Sequence, residues 1–422
     1  MSKPPESAAL EDWLAWLEHL HSQEIDLGLE RLVVVAARLH LPLSLAQRSP
    51  GPYVFTVAGT NGKGSTCAAL QSMAMEAGLE VGLYSSPHLL RFNERIMLNG
   101  REVEDEQLVA AFRQIECVRQ GVSLTYFEYT TLAALLIFTQ SDLDVWVLEV
   151  GLGGRLDAVN LVDANCAVLT TVGLDHQSFL GDNLEQIGFE KAGVFRAGQP
   201  AVLGSPALPA SVEQQGQRVG AQLQPYGVTH GIAGDELFWG NGQRLAIAEL
   251  GSTVPLANQV TAAQAFSLSP FALPATAVKQ ALNAVALAGR CQRLTWQGRT
   301  LVLDVGHNPH AAEYLAAHLA GQRWHLILGM LSDKDVAGVV AALRPLTKDI
   351  SLVSLGVPRG LTAEALQQRA TLGDAQCYDS MSQALAAVCA SEDDAPVLVC
   401  GSFYTVAAVL TLTQSLDVTA NN

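Results

Sequence analysis

The chain has 422 residues, 49% of them hydrophobic and 16% charged, which is enough apolar material for two or three packed units and unlike a disordered chain. Lys and Arg number 25 against 41 Asp and Glu, a net charge of −16. A field of that sign repels nucleic-acid phosphates and anionic lipid, so no nucleic-acid or membrane partner is expected, and an anionic substrate must be met by local cations, backbone N–H groups or metal.

The first stretch, Met1 to Ala15, lacks the basic start and apolar run of a signal peptide, and no apolar run reaches transmembrane length. The seven cysteines, Cys67, Cys117, Cys166, Cys291, Cys377, Cys389 and Cys400, are scattered without a Cys-x-x-Cys pair, so they read as free thiols. A reducing cytoplasm is the expected compartment and a monomer the expected state.

From Tyr53 to about Pro200, apolar runs alternate with helical stretches, the rhythm of a helix-covered parallel sheet. Strands are predicted over Tyr53–Ala58, Glu80–Tyr84, Asp144–Val150 and Cys166–Val172. Ser205–Pro255, richer in Gly and Gln, predicts a few antiparallel strands or loops without legible chemistry. A second α/β series follows, with strands predicted over Thr300–Val305, Trp324–Met330, Asp349–Leu355 and Val397–Cys400. The expected organisation is α/β with two domains. Residues 1–288 form an N-terminal P-loop parallel-sheet ATPase-like domain, 289–295 a linker, and 296–422 a C-terminal Rossmann-like α/β domain.

Val54 to Thr66 runs from a β-branched strand through Gly59-Thr60-Asn61-Gly62-Lys63-Gly64-Ser65 into a helix. Glycines let backbone N–H groups turn toward phosphate oxygens, Lys63 neutralises outer phosphates, and the hydroxyl of Ser65 or Thr66 can reach Mg²⁺. The loop is a variant of Gly-x-x-x-x-Gly-Lys-[Ser/Thr], with Val57 at the first glycine and Gly64 at the hydroxyl position. No Asn-Lys-x-Asp sequence follows, which disfavours a guanine switch.

This shortened loop resembles that of the ATP-dependent amide ligases that include folylpolyglutamate synthases and the Mur peptidoglycan ligases. The resemblance continues, in the order seen in folylpolyglutamate synthases, through Tyr84-Ser85-Ser86-Pro87-His88-Leu89, Leu148-Glu149-Val150-Gly151-Leu152-Gly153-Gly154-Arg155-Leu156-Asp157-Ala158 and Leu174-Asp175-His176. It then runs through Glu190-Lys191-Ala192-Gly193 and Asp304-Val305-Gly306-His307-Asn308-Pro309. Ile25-Asp26-Leu27-Gly28 and Thr125-Tyr126-Phe127-Glu128 resemble pterin-site segments of the members that make both dihydrofolate and folylpolyglutamates.

The resemblance implies ligation of L-glutamate to dihydropteroate and to reduced folates, with ATP and two Mg²⁺ ions as cofactors. An unactivated carboxylate does not react with an amine at neutral pH; phosphoryl transfer from ATP gives an acyl phosphate that the amine can attack. Lys63, His176, Lys191 and His307 are the implied catalytic residues. Ser86 and Glu149 would hold one Mg²⁺, and His176 the second, together with Lys191 if it is carbamylated. Gly59 to Ser65, Arg290 and Asp304 would bind ATP, with Asp304 on the ribose and Arg290 on the phosphates; Lys334 is a further cationic candidate. Ile25–Gly28, Thr125–Glu128 and Leu156–Ala158 would bind the pteroate. Taken alone, Glu149 reads better as a strand-end salt bridge and His176 as a hydrogen-bonded loop histidine, and Lys191 reads as a solvated lysine; the neighbouring motifs favour the metal reading. Where the family places an adenine-contacting asparagine, this chain is aligned at Val260, and Gln264, one helical turn on, or a backbone group is expected to replace the amide, base selectivity being relaxed otherwise. The alternatives are a ligase acting on a UDP-muramoyl acceptor, disfavoured by the absence of a domain ahead of the phosphate loop, and a non-catalytic nucleotide switch.

Overall fold

In the computed structural model, residues 3–240, 242–391 and 393–420 are described. Two compact units emerge, one from the start to His88 with Phe92–Val285, the other from Leu89–Arg91 with Ala286 to the end.

The first unit carries an eight-stranded sheet: β1 (Tyr53–Ala58), β2 (Val81–Tyr84), β3 (Ile96–Leu98), β4 (Arg101–Glu102), β5 (Val145–Glu149), β6 (Cys166–Leu169), β7 (Pro200–Leu203) and β8 (Gln222–Gln224), ordered β4-β3-β2-β5-β1-β6-β7-β8. All neighbours are parallel except β2–β3 and β3–β4. Strand β1 is flanked by β5 and β6, strands far from it in sequence, so the loops leaving β1, β5 and β6 collect at one carboxyl edge, where open parallel sheets bind ligands. The side chains of β1 are buried on both faces, as in sheets covered twice. Val54 and Ala58 join the core under helices Asp105–Arg119 and Tyr126–Gln140, while Phe55 stacks on Phe266 of helix Leu256–Ser267 at 6.1 Å.

The predicted Cys166–Val172 strand ends at Leu169; beyond it Thr170 N still donates to Ala58 O (2.9 Å), and the hydroxyls of Thr170 and Thr171 donate to the Asn61 carbonyl (2.7 and 3.1 Å). Within 205–255 lie helix Ala210–Val219, the parallel strand β8 and a three-stranded antiparallel sheet of β9 (Gly231–Ala233), β10 (Glu236–Trp239) and β11 (Gln243–Ala246), so the segment is more ordered than its composition suggests.

The second unit has a six-stranded sheet of β12 (Gln292–Trp296), β13 (Arg299–Asp304), β14 (Trp324–Leu328), β15 (Thr347–Val353), β16 (Gln376–Tyr378) and β17 (Val397–Cys400), ordered β12-β13-β17-β14-β15-β16. It is parallel apart from β12. The expected linker 289–295 is therefore corrected: Gln292 onward is an edge strand. It folds back on β13 through Gln297 (φ 47°) and Gly298 (φ 82°), a two-residue hairpin turn with both central residues left-handed. That turn was hidden because Gln is an uncommon residue at such a position. No helix among the described residues is long and apolar enough to cross a membrane.

Candidate active site

The phosphate loop leaves β1 at Ala58 and enters helix Lys63–Glu76 at Gly62. Gly59 has φ 150°, and a Cβ there would lie 1.9 Å from Thr170 Oγ1; Gly62 has φ 89°. Only glycine fits both conditions at Gly59. The exit of β6 braces the loop: Thr60 N donates to Thr171 O (2.8 Å), Asn61 N to Thr171 Oγ1 (3.0 Å), and Thr60 Oγ1 accepts from Gly173 N (3.0 Å). Thr66 is spent on its own helix, its hydroxyl donating to Gly62 O at 2.9 Å, while Ser65 is buried at the first turn. The start of a 14-residue helix thus offers backbone N–H groups to an anion.

Two lysines meet at this loop. Lys63 Nζ donates to Gly59 O (3.1 Å) and Thr60 O (3.4 Å), and Lys191 Nζ donates to the same Gly59 O at 3.1 Å. Lys191 is buried at the end of helix Leu184–Ala192. Burial first, and then the charge of Lys63, bring its ammonium down to about 7, against the pull of Asp175 and Asp157. Glu149, the last residue of β5, is also buried; its Oε2 accepts from Ser86 N at 3.3 Å, and its carboxylate oxygens would lie 3.7 and 3.9 Å from a Cβ at Gly64. Glu149, Ser86 and the helix start are therefore neighbours.

His176 is exposed, at φ 51°, before the short helix Gln177–Leu180. Its N donates to Asp175 Oδ1 (2.9 Å), and Nε2 lies 4.0 Å from Asp175 Oδ2. Asp175, quoted in the motif but given no role by the sequence reading, thus orients His176 and acts on Lys191 at once. Among the described residues no three His, Cys, Asp or Glu side chains form a metal cluster. The donors present, a carboxylate, a serine hydroxyl and an imidazole, fit a hard cation that keeps water and phosphate oxygens in its shell. A carbamate on Lys191 would add further oxygen.

The pteroate segments come together in the same unit. Thr125 and Glu128 form a reciprocal capping box, Glu128 N to Thr125 Oγ1 (3.2 Å) and Thr125 N to Glu128 Oε2 (2.7 Å), which starts helix Tyr126–Gln140. Arg31 Nη2 bridges Glu128 Oε1 (2.8 Å) and the Asp26 carbonyl (2.8 Å), and Nη1 reaches the Asp26 carboxylate, so the Ile25–Gly28 loop is tied to that helix start. The ring of Phe127 stacks on Tyr84 (6.0 Å) and presses on Gly151, where a Cβ would lie 2.4 Å from Cζ. Asp157 is buried and accepts from Leu152 N (2.8 Å) and Val159 N (2.9 Å); burial pushes its carboxyl up to about 6 despite these bonds. Thr125, Glu128 and Asp157 thus already serve the backbone and Arg31, whereas Leu156 and the rings of Tyr126 and Phe127 are half-buried. Burial, and next Arg95, press the nearby His88 down to about 4.

In the second unit, Asp304 ends β13 and is buried, with Oδ2 accepting from Cys291 N (2.9 Å) and Oδ1 from Gly306 N (2.7 Å). His307 Nδ1 donates to Val305 O at 2.9 Å, Asn308 caps helix Pro309–His318, and the Arg290 guanidinium lies 5.4 Å from the Phe403 centroid. Lys334 Nζ is 3.8 Å from Asp333.

Set beside known proteins, the chain matches the Mur ligase middle domain over residues 57–204 and the Mur ligase, glutamate ligase domain over residues 289–403. It is 44% identical over 418 residues to the Escherichia coli dihydrofolate synthase/folylpolyglutamate synthase, covering 96% of each chain, and 39% identical over 438 residues to that of Haemophilus influenzae, covering 95% of this chain and 97% of the relative. The chain belongs to this family. Its fold follows the E. coli FolC structure in complex with DHPP and ADP with a TM-score of 0.91 at 43% identity, covering 98% of this chain and all (100%) of that one. The Yersinia pestis bifunctional enzyme complexed with AMPPNP and Mn ion gives 0.90 at 44% identity over the same shares.

Neither Val260 nor Gln264, the two positions of the adenine-side expectation, is exposed. Val260 is fully buried, and Gln264 is engaged elsewhere, its Oε1 accepting from Gly240 N (2.7 Å) and its Nε2 donating to Gln224 Oε1 (3.3 Å). Asn258 is the amide at the phosphate loop, with Oδ1 2.6 Å and Nδ2 2.8 Å from where a Cβ on Gly62 would stand.

Proposed function

We propose that this chain is an ATP-dependent amide ligase that adds L-glutamate to dihydropteroate, forming dihydrofolate, and further glutamates to reduced folates. The observation that carries the reading is the convergence of Lys63, Lys191 and Glu149 on one sheet edge, in a chain that matches named ligases of this activity over nearly its whole length.

Backbone N–H groups of Gly59 to Ser65 and the Lys63 ammonium hold the ATP phosphates, and Asn258 borders the nucleotide. A bound Mg²⁺ supplies charge neutralisation at the transferring phosphoryl group; Glu149 and Ser86 would hold one ion, and His176 with a carbamylated Lys191 a second. Lys191 is suited to carbamylation because CO₂ adds to a neutral amine, and burial keeps a neutral fraction near pH 7. The acid substrate lies along Tyr126, Phe127 and the Leu156–Ala158 turn, with Ile25–Gly28 closing over it. Its carboxylate oxygen takes the γ-phosphoryl group of ATP as ADP leaves; the neutral glutamate amine attacks the acyl carbon, and phosphate leaves with the carboxylate oxygen while the nitrogen loses a proton. The chain's work is positioning and charge neutralisation. Within the second unit, Asp304, Arg290 and His307 are the groups suited to a nucleotide, and His307 to a catalytic role. The enzyme is read as a cytoplasmic monomer.

The test is purified protein with ATP, Mg²⁺ and L-glutamate, offered dihydropteroate and tetrahydrofolate in parallel, with phosphate release and glutamylated product measured. Turnover of both is expected. Activity on reduced folate alone overturns the bifunctional reading, and phosphate release that depends on a UDP-muramoyl acid instead overturns the folate reading.

A further inference from the structure

One cation near the proposed pteroate segments has no role in that scheme. Arg95 closes the turn Phe92–Arg95 ahead of β3, and its backbone carbonyl accepts from Ser85 N at 2.9 Å, next to Ser86. Its guanidinium carbon lies 5.6 Å from the ring centroid of Phe92 and 5.6 Å from that of Tyr126, and Nε donates to His88 Nδ1 at 2.8 Å. Arg31, Arg119, Arg155, Arg196 and Arg244 each pair with a carboxylate. Among the described residues Arg95 pairs with none, in a chain whose acidic groups outnumber its cations 41 to 25.

We infer that Arg95 receives the carboxylate of the acid substrate, the group that is to be phosphorylated, through its two terminal nitrogens. This rests on the pteroate reading above. Aromatic rings hold the guanidinium by cation–π attraction, and Nε is taken by His88, so the Nη1/Nη2 edge is the part left to bind a ligand. That edge is planar and matches the two oxygens of a carboxylate. Arg95 also stands between two parts of the proposed site: Tyr126 and Phe127, given to the aryl body of the substrate, and Ser86 beside Glu149, given to the phosphoryl end. A carboxylate held there has its carbon fixed at the boundary between them. The anion takes the place of the carboxylate partner that this arginine lacks among the described residues.

The experiment measures equilibrium binding of pteroate and of its carboxamide to the full chain, in the wild type, Arg95→Met and Arg95→Lys, with ADP binding as the control for an intact fold. The wild type is expected to prefer pteroate over the carboxamide by roughly ten- to hundredfold. Arg95→Met should bind the two alike, with ADP affinity unchanged, and Arg95→Lys should keep only part of the preference because an ammonium lacks the planar fork. If Arg95→Met loses ADP binding as well, the lysine variant decides, and a full wild-type preference in it overturns the assignment. A full preference in a folded Arg95→Met overturns it too, as does a preference left intact while the KM for glutamate rises, which would give the arginine to the other substrate. A wild type that binds neither compound overturns the proposed function itself.

Discussion

Lys63 and Lys191, 128 positions apart in sequence, place their Nζ atoms at the same distance, 3.1 Å, from one acceptor, the carbonyl oxygen of Gly59. Two ammonium groups sharing one oxygen repel each other, and the one that is buried gives way. Burial first, and then the charge of Lys63, bring Lys191 down to about 7. The loop's glycine conformation creates the relationship, since Gly59 turns its carbonyl toward both.

Lys191 is expected to take up labelled carbon dioxide. A carbamate signal in ¹³C NMR after addition of ¹³C-bicarbonate, absent in Lys191→Met, is the expected outcome. Lys191→Ala should lose activity and regain part of it with added short carboxylates. A metal-loaded, active crystal form with an unmodified amine at Lys191 would overturn the assignment.

The same lysine sets a pH dependence in protein stripped of carbon dioxide. Its pKa of about 7 in the fold lies below the ordinary value of 10.5, so between these pH values the unfolded chain binds more protons than the folded one. Stability from this group therefore rises as pH increases from about 7 to 10.5. Urea denaturation across that range should show the rise in the wild type and a flatter profile in Lys191→Met.

Lys63→Ala should lower kcat by roughly hundredfold or more, because a charge facing the transferring phosphoryl group is removed. Half-buried and bonded only to loop carbonyls, the side chain supports little of the core, so stability should change by about 1 kcal/mol or less. Steady-state kinetics beside a denaturation curve check both; near wild-type turnover would remove the loop from the mechanism.

Asn258→Ala is expected to raise the KM for ATP by about tenfold at most, the worth of one neutral hydrogen bond. Gln264→Ala should leave that KM unchanged and reduce stability, since its amide joins β10 and β8 rather than facing a ligand. Gly62→Ala should be the harshest of the three, combining a left-handed φ with a Cβ 2.6 Å from Asn258 Oδ1, at a cost of roughly 1–3 kcal/mol. Equal KM values for all three variants would dissociate this corner from the nucleotide.

Arg31→Met leaves the buried Glu128 carboxylate without its cation and should destabilise by roughly 1–3 kcal/mol, the arginine being partly exposed. Glu128→Gln keeps an acceptor for Thr125 N and should be milder. A double-mutant cycle should give a coupling well above zero; simple additivity would show that the pair does not hold the two pteroate segments together.

The local pattern of the chain determined the α/β class, the phosphate loop and the motifs, because strand alternation and a glycine-lysine turn are written in neighbouring residues. Ala58 to Ser65 was legible for that reason, whereas Thr125 to Glu128 stood out only by its resemblance to a pterin-site segment, and its capping box emerged in the structure. Three features depended on residues distant in sequence and only tertiary structure decided them. The loop is held by Thr170 and Thr171, more than a hundred positions on. Asn258, not Val260 or Gln264, borders Gly62, because helical phase fixes which residues share a face but not which face meets the loop. And Lys191 is pushed toward neutrality by burial and by Lys63, an electrostatic property of the assembled fold that no residue type or spacing carries by itself.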